Sequence, residues 1–263
     1  MKPARIAAYA ARHLYLYKRS LPRLMEVFYW PLLDLLLWGF VSVYLAKYKG
    51  TMPNFIAFFI GAIILWDMLF RSQQGISVSF LEDVWSRNLL NIFVSPLSPA
   101  EYIASLLALS AIKLAFTSTV MITLAWLLYS YNVLTIGFSL IPLALNLIVM
   151  GWSIGIITTA LILRFGQEAE VLAWAVALLF QPVSAVFYPV SVLPEPLRTV
   201  AAFVPSSHVF EGMRHVIATG ALPLDELVWA IILNALYLGA AIAFFAWNFR
   251  SAKRKGLLAK AGE

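Results

Sequence analysis

Over most of this chain apolar residues follow one another in unbroken runs instead of recurring on one face of a helix. A helix that crosses the hydrocarbon core of a bilayer needs about 20 mostly apolar residues. Six segments come close: 27–46, 55–76, 103–129, 133–163, 171–188 and 227–249. The fourth is long enough to tilt, bend or begin outside the bilayer. The pattern predicts an all-α integral membrane protein with six transmembrane helices, because lipid leaves a helix as the only open-ended way to satisfy every backbone group.

Three stretches break the pattern. In 1–26, at about 100° per residue, Arg5, Arg12, Arg19 and Arg23 fall on one stripe, and Ile6, Ala10, Leu14, Tyr17, Leu21 and Leu24 on another. That predicts a basic amphipathic helix lying in the membrane interface. In 80–101, Glu82, Asp83, Arg87 and Asn88 alternate with Val84, Trp85, Leu89, Leu90, Ile92 and Phe93, which predicts a short amphipathic helix halted before Pro96 and Pro99. In 189–225 lie Pro189, Pro194, Pro196, Pro205 and Pro223, with short helix-compatible runs at 197–204 and 209–219. Those runs are too short and too polar to span, so this stretch is read as a re-entrant helical hairpin before the last span, dipping into or resting on the membrane.

Composition agrees. Of 263 residues, 62% are hydrophobic and 12% charged, whereas soluble domains carry roughly 25% charged residues. The hydrophobic runs leave no room for a separate soluble domain, so 1–263 is read as one transmembrane domain. The net charge of +6 sits at the two ends: 1–26 is net +5 and 250–263 net +4, with the rest net −3. Basic flanks of hydrophobic spans mark a cytoplasmic side, not a nucleic-acid footprint. Six spans then place both termini in the cytoplasm, although Lys47 and Lys49 sit in the first outer loop against that rule.

The chemistry is mostly negative. There are no cysteines and no G-x-x-x-x-G-K-[ST] phosphate loop, so this chain is expected to bind no nucleotide, cofactor or metal, and to carry no catalytic residue. Charges inside spans are costly and need partners. Asp67 and Arg71 stand four apart on one helix face, and Asp34 is placed to meet Lys113; structural pairing and a substrate path are both open readings. His208, Glu211 and His215 share a helix face but lack metalloprotease spacing, and Arg214 is equally placed to pair with Glu211. Ser206 and Ser207 read as helix caps. Gly151 and Gly155 form a G-x-x-x-G that permits close helix approach, within one subunit or between two. Phe28, Tyr29, Trp30, Trp38, Trp66 and Phe70 are open to two readings, a sugar-stacking channel or interfacial anchors and packing.

The order of these parts, with FYPVSVLPEPLR (187–198), VPSSH (204–208) and FEGMR (210–214), resembles the permease subunits of type-2 ATP-binding-cassette exporters and their P-x-x-x-L-P … P … E-x-x-R signature. The inner LNIFVSPLSPAE (90–101) is similar to the family's ATPase-inserting segment. The resemblance implies a second permease copy, with a homodimer favoured, and a nucleotide-binding ATPase subunit carrying ATP and Mg. It also implies a prokaryotic plasma (inner) membrane and export of an amphipathic or lipid-linked cargo: polysaccharide, lipo-oligosaccharide, lipid or drug. On that reading 80–101 is a cytoplasmic coupling helix, with Trp85, Leu89, Leu90 and Phe93 as anchors and Glu82, Asp83 and Arg87 as orienting charges. The outer gate is 189–225, centred on Pro189, Pro194, Pro205, Glu211 and Arg214. An intramembrane lipid-modifying enzyme and a gradient-driven transporter are the rival readings.

Overall fold

The computed structural model describes residues 1–49, 55–132 and 137–254. The start of the fourth predicted span, at Val133, and the last part of the basic C-terminal flank lie outside these residues. Every regular element among the described residues is helical. In order they are α1 (Pro3–Lys18), α2 (Leu21–Lys49), α3 (Phe55–Trp85), α4 (Leu89–Val94), α5 (Pro99–Tyr129), α6 (Leu140–Phe165), α7 (Leu172–Phe180), α8 (Glu195–Ala201), α9 (Pro205–Thr219) and α10 (Leu224–Arg254), with short 3-10 turns between some of them. Among the described residues three helices are long and apolar enough to cross a membrane, Pro99–Tyr129, Gly137–Phe165 and Leu224–Arg254, and Phe28–Tyr44 is a shorter apolar one.

Several predicted boundaries move. The basic N-terminal helix ends at Lys18, and residues 21–26 belong to α2, which also contains Lys47 and Lys49. The second apolar run does not stop at 76: α3 continues for 31 residues through Glu82 and Asp83 to Trp85. The predicted single amphipathic helix over 82–93 is therefore two pieces, split at Ser86–Asn88, where Arg87 takes the left-handed conformation (φ 53°) and turns the chain into α4. The fifth run is the clearest difference. It folds as the nine-residue α7 followed by turns through 181–188, in which Ala185 is left-handed (φ 52°).

Small residues decide how the long helices approach. A Cβ on Gly151 would lie 1.9 Å from the Ser72 hydroxyl oxygen and 2.4 Å from the Leu69 carbonyl, and one on Gly155 would lie 2.9 Å from the Gln73 carbonyl. The G-x-x-x-G of α6 is thus filled by α3 of the same chain. Gly75 of α3 meets Ser110 of α5 in the same way. Some buried hydroxyls bond to carbonyls of their own helices, as with Ser105 to Glu101 at 2.7 Å and Thr159 to Gly155 at 2.9 Å, and Ser110 of α5 crosses to the Ser72 carbonyl of α3 at 2.9 Å, so these groups are paired within an apolar interior.

The buried apolar residues form two clusters, one at each end of the bundle. One joins Leu35, Leu65, Leu69, Leu147, Phe210 and Met213. The other joins Tyr9, Phe80, Leu81, Tyr102, Leu163 and Phe245. The second end carries α1, α4 and the C-terminal turn of α10. The first carries α8 and α9.

Candidate functional site

The two irregular connections of the bundle, one at each end, each gather a set of buried polar side chains. At the α1/α4 end the centre is Asp83, only 1% exposed. Its Oδ2 accepts hydrogen bonds from the hydroxyls of Tyr9 and Tyr102 (3.1 Å for Tyr102), and its Oδ1 pairs with Arg12 at 3.0 Å. His13 is fully buried beside it, with Nδ1 3.3 Å from Glu82 Oε2 and Nε2 3.0 Å from the Tyr9 hydroxyl and 3.4 Å from Asp83 Oδ1. With the Tyr9 hydroxyl donating to Asp83, both ring nitrogens face acceptors, an arrangement that suits the imidazolium. Burial pushes the His13 pKa down, but hydrogen bonds to Asp83 and Glu82 and their charges outweigh it, leaving it above 6.5. Burial likewise works against both carboxylates, yet His13, with Lys113 and Arg23 for Glu82 and with Tyr9 and Arg12 for Asp83, holds each below its ordinary value.

This network ties α1 and α2 to the ends of α3 and α5. Arg23 pairs with Glu82 at 3.3 Å, and Arg5 with Glu101 at 3.4 Å. Glu101 also closes a capping box with Ser98 and accepts from the Lys2 amide at 2.7 Å. The S-x-x-E spacing at 98–101 is a helix-start signal in the sequence itself. The roles expected for two charges change accordingly. Glu82 and Asp83, read as orienting charges toward a partner, are turned inward, and Arg12 and Arg23 of the basic stripe read as interfacial pair with them. A carboxylate removed from water needs a cation and donors, and α1 supplies both. Leu89, read as an anchor, is 3% exposed and belongs to the core. Trp85 (46% exposed), Leu90 (50%) and Val94 (79%) face outward around exposed Arg87. Trp85 donates to Glu170 at 3.1 Å and stacks on Trp174; neither partner was foreseen. Phe93 packs between Tyr102 and Phe249.

At the far end, α9 buries Val209, Phe210, Gly212, Met213 and Val216 and presents its polar face to the 181–192 connection. Glu211 Oε1 accepts from the Val190 amide at 2.6 Å, and Arg214 pairs with Glu211 at 2.9 Å while donating to the Ala185 carbonyl at 2.8 Å. This pair stitches the turn after α7 to α9. Pro189 and Pro194 stand at the starts of the 3-10 turn and of α8, and Pro205 in the first turn of α9. The cap before α9 is Val204, not a serine. Ser206 instead meets the Ser184 hydroxyl at 2.6 Å, and Ser207 donates to the Ala201 and Val204 carbonyls. His208 lies 2.6 Å from Glu226 of α10, and among the described residues no group of three or more His, Cys, Asp or Glu is placed to hold a metal.

Within the long helices, Arg71 Nε donates to Asp67 at 3.0 Å and Nη1 to Gln74 at 3.0 Å. The pairing read for Asp34 and Lys113 is replaced. Lys113 donates to the Tyr17 hydroxyl at 2.7 Å and to Ser79 at 2.9 Å. The aromatic residues divide: Trp66 is buried in the core, Trp38 stacks on Phe187, Phe28 meets Phe116, and Tyr29 and Trp30 are exposed.

The profile of the ABC-2 family transporter protein matches residues 38–248. The chain belongs to the ABC-2 transporter family. It is a multi-pass membrane protein and the permease type of subunit, a class that is generally non-catalytic and associates with an ATP-binding subunit. The match takes in both connections of the permease, from the α3–α4 turn to the whole of α9. No curated protein matches the chain at a significant level.

Proposed function

We propose that this permease is the membrane half of an ATP-driven exporter, and that the turn between α3 and α4 is where a nucleotide-binding subunit engages it. The observation that carries this reading is the exposed ridge of Trp85, Leu90 and Val94 on a turn whose base is locked by Asp83, Glu82 and His13 to α1, α3 and α5. A partner groove that grips an apolar ridge on a rigid base moves the helices behind it, which a floppy loop would not do. In this reading the energy comes from that partner; the sequence carries no phosphate-gripping loop.

In this reading six membrane passes are made by α2, α3, α5, α6, α7 with the turns after it, and α10, and both termini face the cytoplasm with the ridge. A second copy covers the exposed apolar face of α2, where Tyr29, Trp30, Leu33, Leu37 and Phe40 are unburied. The α8–α9 connection is the outer gate, held shut by Glu211 and Arg214, and the cargo is amphipathic or lipid-linked, entering from the bilayer.

The test is co-purification of the permease with its nucleotide-binding subunit after Trp85→Ala, Leu90→Ala and Val94→Ala are combined. Leu89 is left intact because its loss would damage the core. Association is expected to weaken about tenfold or more, the scale of a disrupted interface hot spot, with loss of transport-coupled ATP hydrolysis. Undiminished association would remove the turn from the mechanism.

A further inference from the structure

A groove of about 620 Å³ opens between α5 and α10. It exists because α10 lies along α6 while α5 lies along α3, leaving the two splayed with Ile156 of α6 as the floor. Its walls are apolar, including Ala104 and Leu107 of α5 and Ile242, Ala246 and Phe249 of α10. The same stripe of α10 changes chemistry at its end, where Arg250 and Lys253 join Met1 and Ser98 in the lining. Both are exposed, and neither makes an ion pair among the described residues, unlike Arg5, Arg12 and Arg23 at the same end.

We propose that this groove is a site for one anionic phospholipid, with an acyl chain between α5 and α10 and the phosphate on Arg250 and Lys253. The dimensions fit. From Ile242 to Lys253 the helix rises roughly 16 Å at about 1.5 Å per residue, close to half of the roughly 30 Å hydrocarbon core. The groove is therefore one leaflet deep, and its cations stand where headgroups lie. Basic side chains between transmembrane helices at a membrane surface select anionic headgroups, and an apolar trough ending in them selects a lipid over free phosphate. Nearby acids do not compete: Glu101 is occupied by the Ser98 and Lys2 amides and Arg5.

The experiment uses the full permease in bilayers of equal phosphatidylglycerol and phosphatidylcholine, extracted gently and examined by native mass spectrometry for retained lipid. The unaltered chain is expected to keep phosphatidylglycerol over phosphatidylcholine by roughly tenfold or more. Arg250→Gln with Lys253→Gln should abolish that preference, and both substitutions are on exposed positions that do not threaten folding. Ala104→Trp, which fills the trough, should abolish retention while thermal unfolding confirms a folded chain; an Ala104→Phe variant serves if it does not fold. Equal retention of the two lipids, no retained lipid, a preference that survives the Gln variant, retention that survives a folded trough-filling variant, or displacement by inorganic phosphate would each overturn the site.

Discussion

Asp83 shows how much one side chain can organise here. It is a carboxylate at 1% exposure, and it is tolerated because Tyr9, Arg12, His13 and Tyr102 converge on it from two other helices. Removing one partner of such a buried set leaves the others uncompensated and typically costs about 3–5 kcal/mol. Asp83→Ala is therefore expected to lower the thermal unfolding temperature and to raise amide exchange throughout α1. The network also sets a pH window. His13 is raised above 6.5, so its contribution is fully present below that value and is lost as pH rises through the raised one. Glu82 and Asp83 are lowered from 4.5 and 3.8, so theirs is present above those values and is lost as pH falls through the lowered ones. The facing groups are Tyr9 and Arg12 from α1, Arg23 from α2, and Tyr102 and Lys113 from α5. Amide exchange in α1, corrected for its intrinsic pH dependence, should be slowest between about 4.5 and 6.5 and rise on the alkaline side. His13→Gln should remove the alkaline rise; an unchanged alkaline limb in that variant would contradict a charged His13.

At the scale of elements, the contact between α3 and α6 depends on the absence of a side chain. A methyl group on Gly151 would fall inside the van der Waals surface of the Leu69 carbonyl, which is backbone and cannot swing away. Gly151→Ala should thus force the helices apart at an overpacking cost of about 1–3 kcal/mol. Gly239 of α10 meets nothing within 4 Å of its Cβ position, so Gly239→Ala is the matched control. Thermal unfolding of the two variants side by side checks the difference, and equal midpoints would refute it. The break of α7 after nine residues follows a related logic. Residues 171–188 are apolar enough to read as a span, but Arg214 takes the Ala185 carbonyl and Tyr188 donates to the Pro182 carbonyl at 2.7 Å. Those bonds offer the backbone an alternative to helix, which apolarity alone cannot forecast.

For the molecule as a whole, the far-end connection is expected to act as the gate. Glu211→Ala frees the Val190 amide and the Arg214 guanidinium together, so export in reconstituted vesicles should fall while co-purification with the nucleotide-binding subunit stays unchanged. Full export would reject the gate, and lost assembly would show that Glu211 serves folding instead. The composition and the long apolar runs by themselves determined that the chain lives in lipid, is helical, and has two irregular connections, because the hydrophobic effect acts on local sequence and leaves a period that can be read. The proline-punctuated 189–225 stretch and the Asp67–Arg71 pair were legible for the same reason: their determinants lie within a few residues of each other. Which charges meet across the bundle was not legible. Arg12 and Asp83 lie 71 positions apart, and His13 and Glu82 lie 69 apart. Glu82 and Asp83 read as a solvent-facing rim until the helices behind them are assembled. Only tertiary packing decided that these acids are buried and that Arg250 and Lys253 are left over, since ion pairing depends on distance in space, which sequence separation does not encode.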